Sequence, residues 1–518
     1  MRSGGALWRA LETARRRNCA DAGEAAPAAR AAGATRRGML QAMAAAGVFA
    51  AMPRSARAFP GGRVAIIGGG MAGLSALHHL REAGVDARLY EARGRMGGRM
   101  FTRRPPDGGP AFEDGAQLIN TDHADMHALA ARYGTALIDR KAAAHRSLIL
   151  ADGGPLSDDR LAQALRPIAE QIGRDADRLD RDYARVAPAL DRLSIADYLD
   201  RHADLLGPPW VRQLLEGTSR TEYGVEPDCA SAIELIFNLP TVAGERVDVL
   251  GGSDERFVIE GGSSALVDAM AAAHAGRIET GRRLLRIARA DGRLRLTFAD
   301  GSVVAADRVI VAVPAPILRQ IDYEVPLHPL WRDYAGVASL GLNEKIQVAA
   351  ATRPWAAAMG PGGDLWETSA GAGFASGWDG SVQRGDGTVP VWTWYLGGAQ
   401  VAEGALSAEA LSRRFGALAD AAIPGMAAMA GQVRRTAWHR DPLTLGGYVN
   451  FAPGQLSRYG GLLWREGEDG VHSGAQADVL FAGEHLSDAF PGYMNGAAQT
   501  GRLAAWTITG DQRLRRAA

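Results

Sequence analysis

Cysteine is almost missing from this chain: among 518 residues there are two, Cys19 and Cys229. With Cys19 inside a basic, leader-like stretch, the remainder keeps one thiol, which excludes a disulfide framework and any cysteine-based metal centre. An excess of either charge is missing too. Lys plus Arg and Asp plus Glu number 58 each, so no basic field argues for nucleic acid or an anionic membrane surface. No apolar run reaches the about 20 residues of a membrane-spanning helix. A P-loop, a Ser/His/Asp set and a metal-ligand cluster are likewise not found, so no metal is expected. What remains is a chain rich in alanine and glycine, too long for one simple core, which points to two domains that could interleave.

The stretch from 64 to 99, VAIIGGGMAGLSALHHLREAGVDARLYEARGRMGGR, organises the rest. Val64, Ala65, Ile66 and Ile67 read as a buried parallel strand, and helical spacing runs from Met71 and Ala72 to about Glu82. Between them Gly68, Gly70 and Gly73 make GxGxxG: the first permits the tight turn, the second lets a pyrophosphate approach the backbone, the third lets helix and strand pack closely. A second strand, 87–90, ends in Glu91, 91 − 73 = 18 residues past the last glycine, where an acid bonds an adenosine ribose. Arg93, Arg95, Gly97, Gly98 and Arg99 then add a second glycine pair with guanidinium groups suited to phosphate.

GxGxxG, then Glu91-Ala92-Arg93, then RxGGR resembles the flavin-containing amine oxidase superfamily of monoamine, polyamine and L-amino-acid oxidases, with desaturases and porphyrinogen oxidases more distant. The resemblance implies FAD and an α/β fold in which a Rossmann-type FAD-binding domain interleaves with an α+β substrate-binding domain. It also implies that Gly115 and Ala116, followed by Gln117 and Leu118, let the backbone approach the flavin ring. The C-terminal Gly483-Glu484 and Gly492-Tyr493-Met494, with Ala497, is similar to the family's FAGE…GYxxGA signature. By that match Glu484 contacts the ribityl-phosphate region, and a backbone N–H near Met494 faces the ring where a helix dipole stabilises negative charge. Leu284, heading a strand of the same domain, joins the expected cofactor contacts.

Lys345 lies on a strand whose alternation points it the same way as Asn343 and Gln347. The resemblance implies that it holds a water against the flavin and, partly desolvated, serves the oxygen half-reaction. Tyr493 is the candidate for one wall of an aromatic cage around the substrate amine. The second wall falls to Tyr448 or Phe451, with Trp394 a weaker pocket candidate and Gln117 a further substrate contact. No cysteine stands beside Tyr448, so FAD is expected to be held noncovalently. An arginine two residues past the small pair grips carboxylates in L-amino-acid oxidases; Gln117 and Leu118 stand there instead, favouring an amine.

Ahead of all this, residues 35–40 carry a twin-arginine pattern at Arg36-Arg37, an apolar run spans 39–52, and Ala56-Arg57-Ala58 reads as a cleavage site. The expectation is a leader over 1–58 and twin-arginine export of the FAD-loaded protein to the periplasm or outside. A basic tail on a cytoplasmic protein is the alternative. FAD-domain pieces are expected at 59–120, 248–320 and 440–518, and substrate-domain pieces at 121–247 and 321–439. Ser194 to Asp197 reads as a capping box, and the charges from Asp175 to Asp182 as a solvated helix face. The expected activity is oxidation of an amine by hydride transfer to flavin, giving an imine and hydrogen peroxide, with no nucleic-acid partner and homodimerisation left open. An L-amino-acid oxidase, a C–C desaturase or porphyrinogen-type oxidase, and a non-catalytic FAD-binding protein are the competing readings.

Overall fold

The computed structural model describes residues 62–515 apart from 107, 239, 244–245, 250–252, 384–387, 403–405, 468–469 and 473–477, with Arg17 and Ala28–Ala29 ahead of them. The twin-arginine pair, the 39–52 run and Ala56-Arg57-Ala58 lie outside the described residues.

Short, fully apolar segments become the parallel strands of one sheet. Its members are β1 (Arg63–Ile67), β2 (Asp86–Tyr90), β3 (Ile278–Glu279), β4 (Arg308–Val311) and β5 (Val479–Phe481), in the order β3-β2-β1-β4-β5. Every pairing is parallel. Residues Val64 to Ile67 are buried on both faces of central β1, which is why they read as an unbroken apolar run. Helix α1 (Met71–Glu82) crosses from β1 to β2. The last helix, α2 (Met494–Thr509), packs along it so closely that a Cβ on Gly501 would stand 2.2 Å from Ala72 O. The Ser75 hydroxyl donates to Ala498 O at 2.7 Å, tying α1 to a residue 423 positions later.

A second, seven-stranded sheet runs in the order 431–435, 343–350, 391–397, 376–379, 364–367, 147–151, 154–155. Helices from 158 to 223 stand beside it, beginning with Asp158–Arg181. A four-stranded sheet is built on the antiparallel hairpin of strands 284–290 and 293–298, whose turn puts Asp291 and Gly292 at φ of 51° and 75°. Ser194 and Asp197 form a reciprocal capping box at the start of Ile195–Arg201.

One expectation about the helical region needs correcting. Asp175 is not on a solvated face: it is buried and takes bonds from Tyr198 Oη at 2.9 Å and Gln171 Nε2 at 2.7 Å, with Arg178 at 2.8 Å. A phenol on the neighbouring helix gave that carboxylate an interior partner. Among the described residues no helix is long and apolar enough to cross a membrane.

Candidate active site

At the carboxyl end of β1 the backbone must turn sharply and remain open. Gly68 does the turning, at φ 109°, with Ala312 O only 2.5 Å from where a Cβ would sit. Gly70 meets nothing within 4 Å, so a side chain there would project into open space. Gly73 is a packing glycine, its missing Cβ 1.9 Å from Gly68 O, and it does not line the cavity. The open space in front of Gly70 is part of a cavity of about 1440 Å³, counted together with the open solvent at its mouth.

Two helices begin at this cavity, and neither start is capped by a side chain. Gly70 precedes α1 and Tyr493 precedes α2, both without a side-chain hydrogen bond to the first turn. Uncapped N–H groups and the positive ends of two dipoles therefore face one space, an arrangement that favours anionic groups at two points.

Glu91, buried at the end of β2, accepts from Gly69 N at 2.6 Å with one oxygen and from Arg93 N at 2.7 Å with the other. It locks the glycine turn while each oxygen keeps a second lone pair for a ribose hydroxyl. The motif arginines have protein partners as well. Arg93 Nη2 reaches Asp441 Oδ1 and Thr444 Oγ1, both at 2.7 Å, and Arg99 Nη1 reaches Gly447 O at 2.5 Å and Glu484 Oε1 at 2.8 Å. Both line the cavity; Arg95 instead lies over the Phe101 ring at 3.9 Å and does not. Glu484 receives Gly492 N at 2.9 Å and Val449 N at 3.4 Å besides Arg99. Burial works to raise its pKa, but Arg99, His485 and these donors outweigh it and the net shift is downward. Glu484 is thus a hub joining the RxGGR segment to the C-terminal signature, as well as a cavity residue.

Ala92, Gly98, Gly115, Ala116, Leu284, Gly483, Gly492, Met494 and Ala497 also line the cavity, with Met71 and Ala72 at the start of α1. Gly115 has a second reason to be small, because a Cβ would come 1.8 Å from Arg99 O.

At the other end stands Lys345. Its Nζ donates to Gly115 O at 2.7 Å and Glu113 O at 3.0 Å, with Gln117 Oε1 at 3.5 Å. Burial pulls its pKa down to about 8, against the upward pull of the Glu113 and Asp114 carboxylates. Tyr395 is paired with Lys345 across the sheet, so both side chains share the cavity face. Tyr395 Oη and Tyr448 Oη are 2.8 Å apart, and Tyr448 Oη also donates to Thr221 O. Tyr493 lines the same space with its ring edge-on to buried His123 at 4.9 Å.

Besides Gly73, four expected contacts are placed elsewhere. Trp394 pairs with Ile346, one residue out of phase with Tyr395, so the pleat turns it into the opposite core beside Phe374 and Phe415. Phe451 follows the Val449–Asn450 strand into the main core. Gln117 sits behind Lys345, its amide spent on Gly380 O at 2.9 Å and its carbonyl on Trp378 Nε1 at 3.3 Å. Leu118 packs against Trp378, Tyr395 and Tyr448, backing the tyrosine pair from outside the cavity. Asn343 shares the cavity with Lys345 as strand alternation implies, whereas the cavity places of Tyr395, Thr436 and Trp438 were not anticipated. The 392–395 aromatic run held the signal for Tyr395, but choosing its face required the register against Lys345.

This sheet, its glycine turn and the two uncapped helices define a dinucleotide-binding site in a cavity that tyrosines also line. The particular family follows from comparison: the model for "flavin containing amine oxidoreductase" matches residues 71–509, and the chain belongs to that family. It is 29% identical over 467 residues to (S)-6-hydroxynicotine oxidase of Paenarthrobacter nicotinovorans, covering 86% of this chain and 98% of the relative. To polyamine oxidase 1 of Oryza sativa subsp. japonica it is 26% identical over 517 residues, covering 85% and 96%. Its fold is that of cyclohexylamine oxidase from Brevibacterium oxydans IH-35A, with a TM-score of 0.72 at 22% identity over 88% of this chain and 100% of that one. The protein is a flavin-dependent oxidoreductase acting on amines, and its cofactor is FAD. The residues fit that group: Glu91 for the ribose, the open Gly70 turn and α1 for the pyrophosphate, and the start of α2 for the flavin ring.

Proposed function

We propose that this protein oxidises an amine at the carbon bearing its nitrogen, giving an imine that water converts to a carbonyl compound, with oxygen as acceptor and hydrogen peroxide as product. Bound FAD supplies the two-electron acceptor. Tyr395, Tyr448 and Tyr493 provide an aromatic end that takes an amine by its apolar body and its nitrogen. Lys345, held by two backbone carbonyls, keeps one positive charge beside the reacting space, where it assists oxygen as that molecule gains negative charge. No protein base is needed for the carbon–hydrogen bond.

The observation that carries this reading is the convergence of two uncapped helix starts, Lys345 and three tyrosines on one cavity. An amine is favoured over an α-amino acid because Gln117 and Leu118 stand where a carboxylate-gripping arginine would be expected, Gln117 committed to Gly380 and Trp378 and Leu118 packed with Trp378, Tyr395 and Tyr448. FAD is proposed to be noncovalent, since no cysteine is among the cavity residues. Peroxide detection across monoamines, polyamines and amino acids tests the reading: peroxide from amines supports it, and turnover of amino acids alone overturns it. Twin-arginine export of the loaded enzyme is proposed from the leader pattern, and cell fractionation tests it.

A further inference from the structure

The far end of α1, opposite the cavity, gathers three histidines and a carboxylate that amine oxidation does not use. His78 is buried and His79 partly so, with ring centroids 4.7 Å apart, and Glu82 follows on the last turn. One ligand atom from each of His78, His79 and Glu82 lies within 4.8 Å of the others. His78 Nε2 stands 3.5 Å from Glu82 Oε2, close to the about 3.3 Å ligand-to-ligand edge of a tetrahedral ion with bonds of 2.0–2.1 Å.

Three further details point to a cation. First, the Nδ1 of His79 is buried with no hydrogen-bond partner. Second, His78 is oriented from behind: its Nδ1 is 2.8 Å from Tyr133 Oη, which is 3.0 Å from His274 Nε2. If His78 Nδ1–H donates to Tyr133 and the Tyr133 hydroxyl donates to His274, the His78 Nε2 lone pair faces Glu82, the outer-shell pattern of a metal-binding imidazole. Third, Arg132 occupies only the other carboxylate oxygen, Glu82 Oε1, at 3.1 and 3.2 Å. Without an ion, a proton on Nε2 stands in its place.

We propose that His78, His79 and Glu82 bind one borderline divalent transition-metal cation of the zinc, nickel and copper type, with Tyr133 and His274 as the supporting shell. Two imidazole nitrogens and one carboxylate oxygen select such ions over magnesium or calcium, and a donor count of three leaves a position for water. Glu82, exposed at the helix end, is the ligand that faces solvent. The site lies on α1, so the ion would fasten the helix whose other end faces the pyrophosphate position.

The test uses the untagged, FAD-loaded protein after dialysis against a chelator. Zinc is titrated by calorimetry, copper by electron paramagnetic resonance. One equivalent per chain is expected, with nitrogen couplings from two imidazoles. His79→Ala should weaken binding at least tenfold and leave coupling from one imidazole; Glu82→Gln should also weaken it, and Tyr133→Phe should do so about tenfold. The visible spectrum of bound FAD reports that each variant is folded. No saturable equivalent in the parent protein, or undiminished binding in both His79→Ala and Glu82→Gln, would overturn the proposal.

Discussion

Lys345 is a buried ammonium with 3% exposure, held by the backbone carbonyls of Glu113 and Gly115. Its ordinary pKa of 10.5 falls to about 8. The unfolded chain therefore holds this proton to a higher pH than the folded one, so burial of Lys345 costs stability below pH 8, and the cost is relieved as pH rises from 8 to about 10.5. If the charge assists oxygen, the oxidative half-reaction should slow as pH rises through about 8. Stopped-flow reoxidation of Lys345→Met should be slower by on the order of 10²-fold and flat across that pH; an unchanged rate would remove Lys345 from the mechanism. The strand beside it gives a paired test. Tyr395→Phe should alter KM for the amine, whereas Trp394→Phe, in the opposite core, should change thermal stability and leave KM alone. Trp392, Trp394 and Tyr395 stand close together in the sequence, but which face meets the cavity is decided by the pairing of Tyr395 with Lys345, 50 residues earlier.

Among the elements, the β1–α1–β2 unit was legible because its physics is local: an apolar run, a glycine turn and an acid at fixed spacing. Glu91 shows the limit. The ribose contact proposed for it follows from spacing, but its bonds to Gly69 N and Arg93 N belong to the folded turn alone. Glu91→Ala should thus do more than remove ribose contacts, since it also leaves two N–H groups unpaired at about 1–3 kcal/mol each. Loss of FAD on gel filtration is the expected outcome, and full retention would undercut the assignment. At Ile195–Arg201, Ser194→Ala removes a reciprocal cap and should cost about 1 kcal/mol in denaturant unfolding without changing FAD affinity. Asp175 was misread for a physical reason: its partner Tyr198 lies on another helix, and helical periodicity says nothing about what a neighbour offers.

For the whole molecule, the cofactor site is assembled from distant pieces. Arg99 and Glu484 are joined across 385 positions and Arg93 and Asp441 across 348, so each half of the binding cradle holds the other in place. FAD bound there should stabilise the fold by linkage, about 2.7 kcal/mol at a hundredfold excess over Kd. Removing FAD should lower the melting temperature, and adding it back should restore it. The tyrosine-lined end of the cavity was least legible in the sequence, because its walls come from 343–345, 395, 448 and 493, which only the tertiary fold brings together. In the proposed reaction this one cavity passes electrons from an amine to FAD. Anaerobic mixing of the FAD-loaded protein with a panel of mono-, di- and polyamines tests it most directly. Bleaching of the visible flavin absorbance by at least one amine, followed by recovery with hydrogen peroxide when air is admitted, is the predicted result; a fully bound flavin that no amine in the panel bleaches would contradict it.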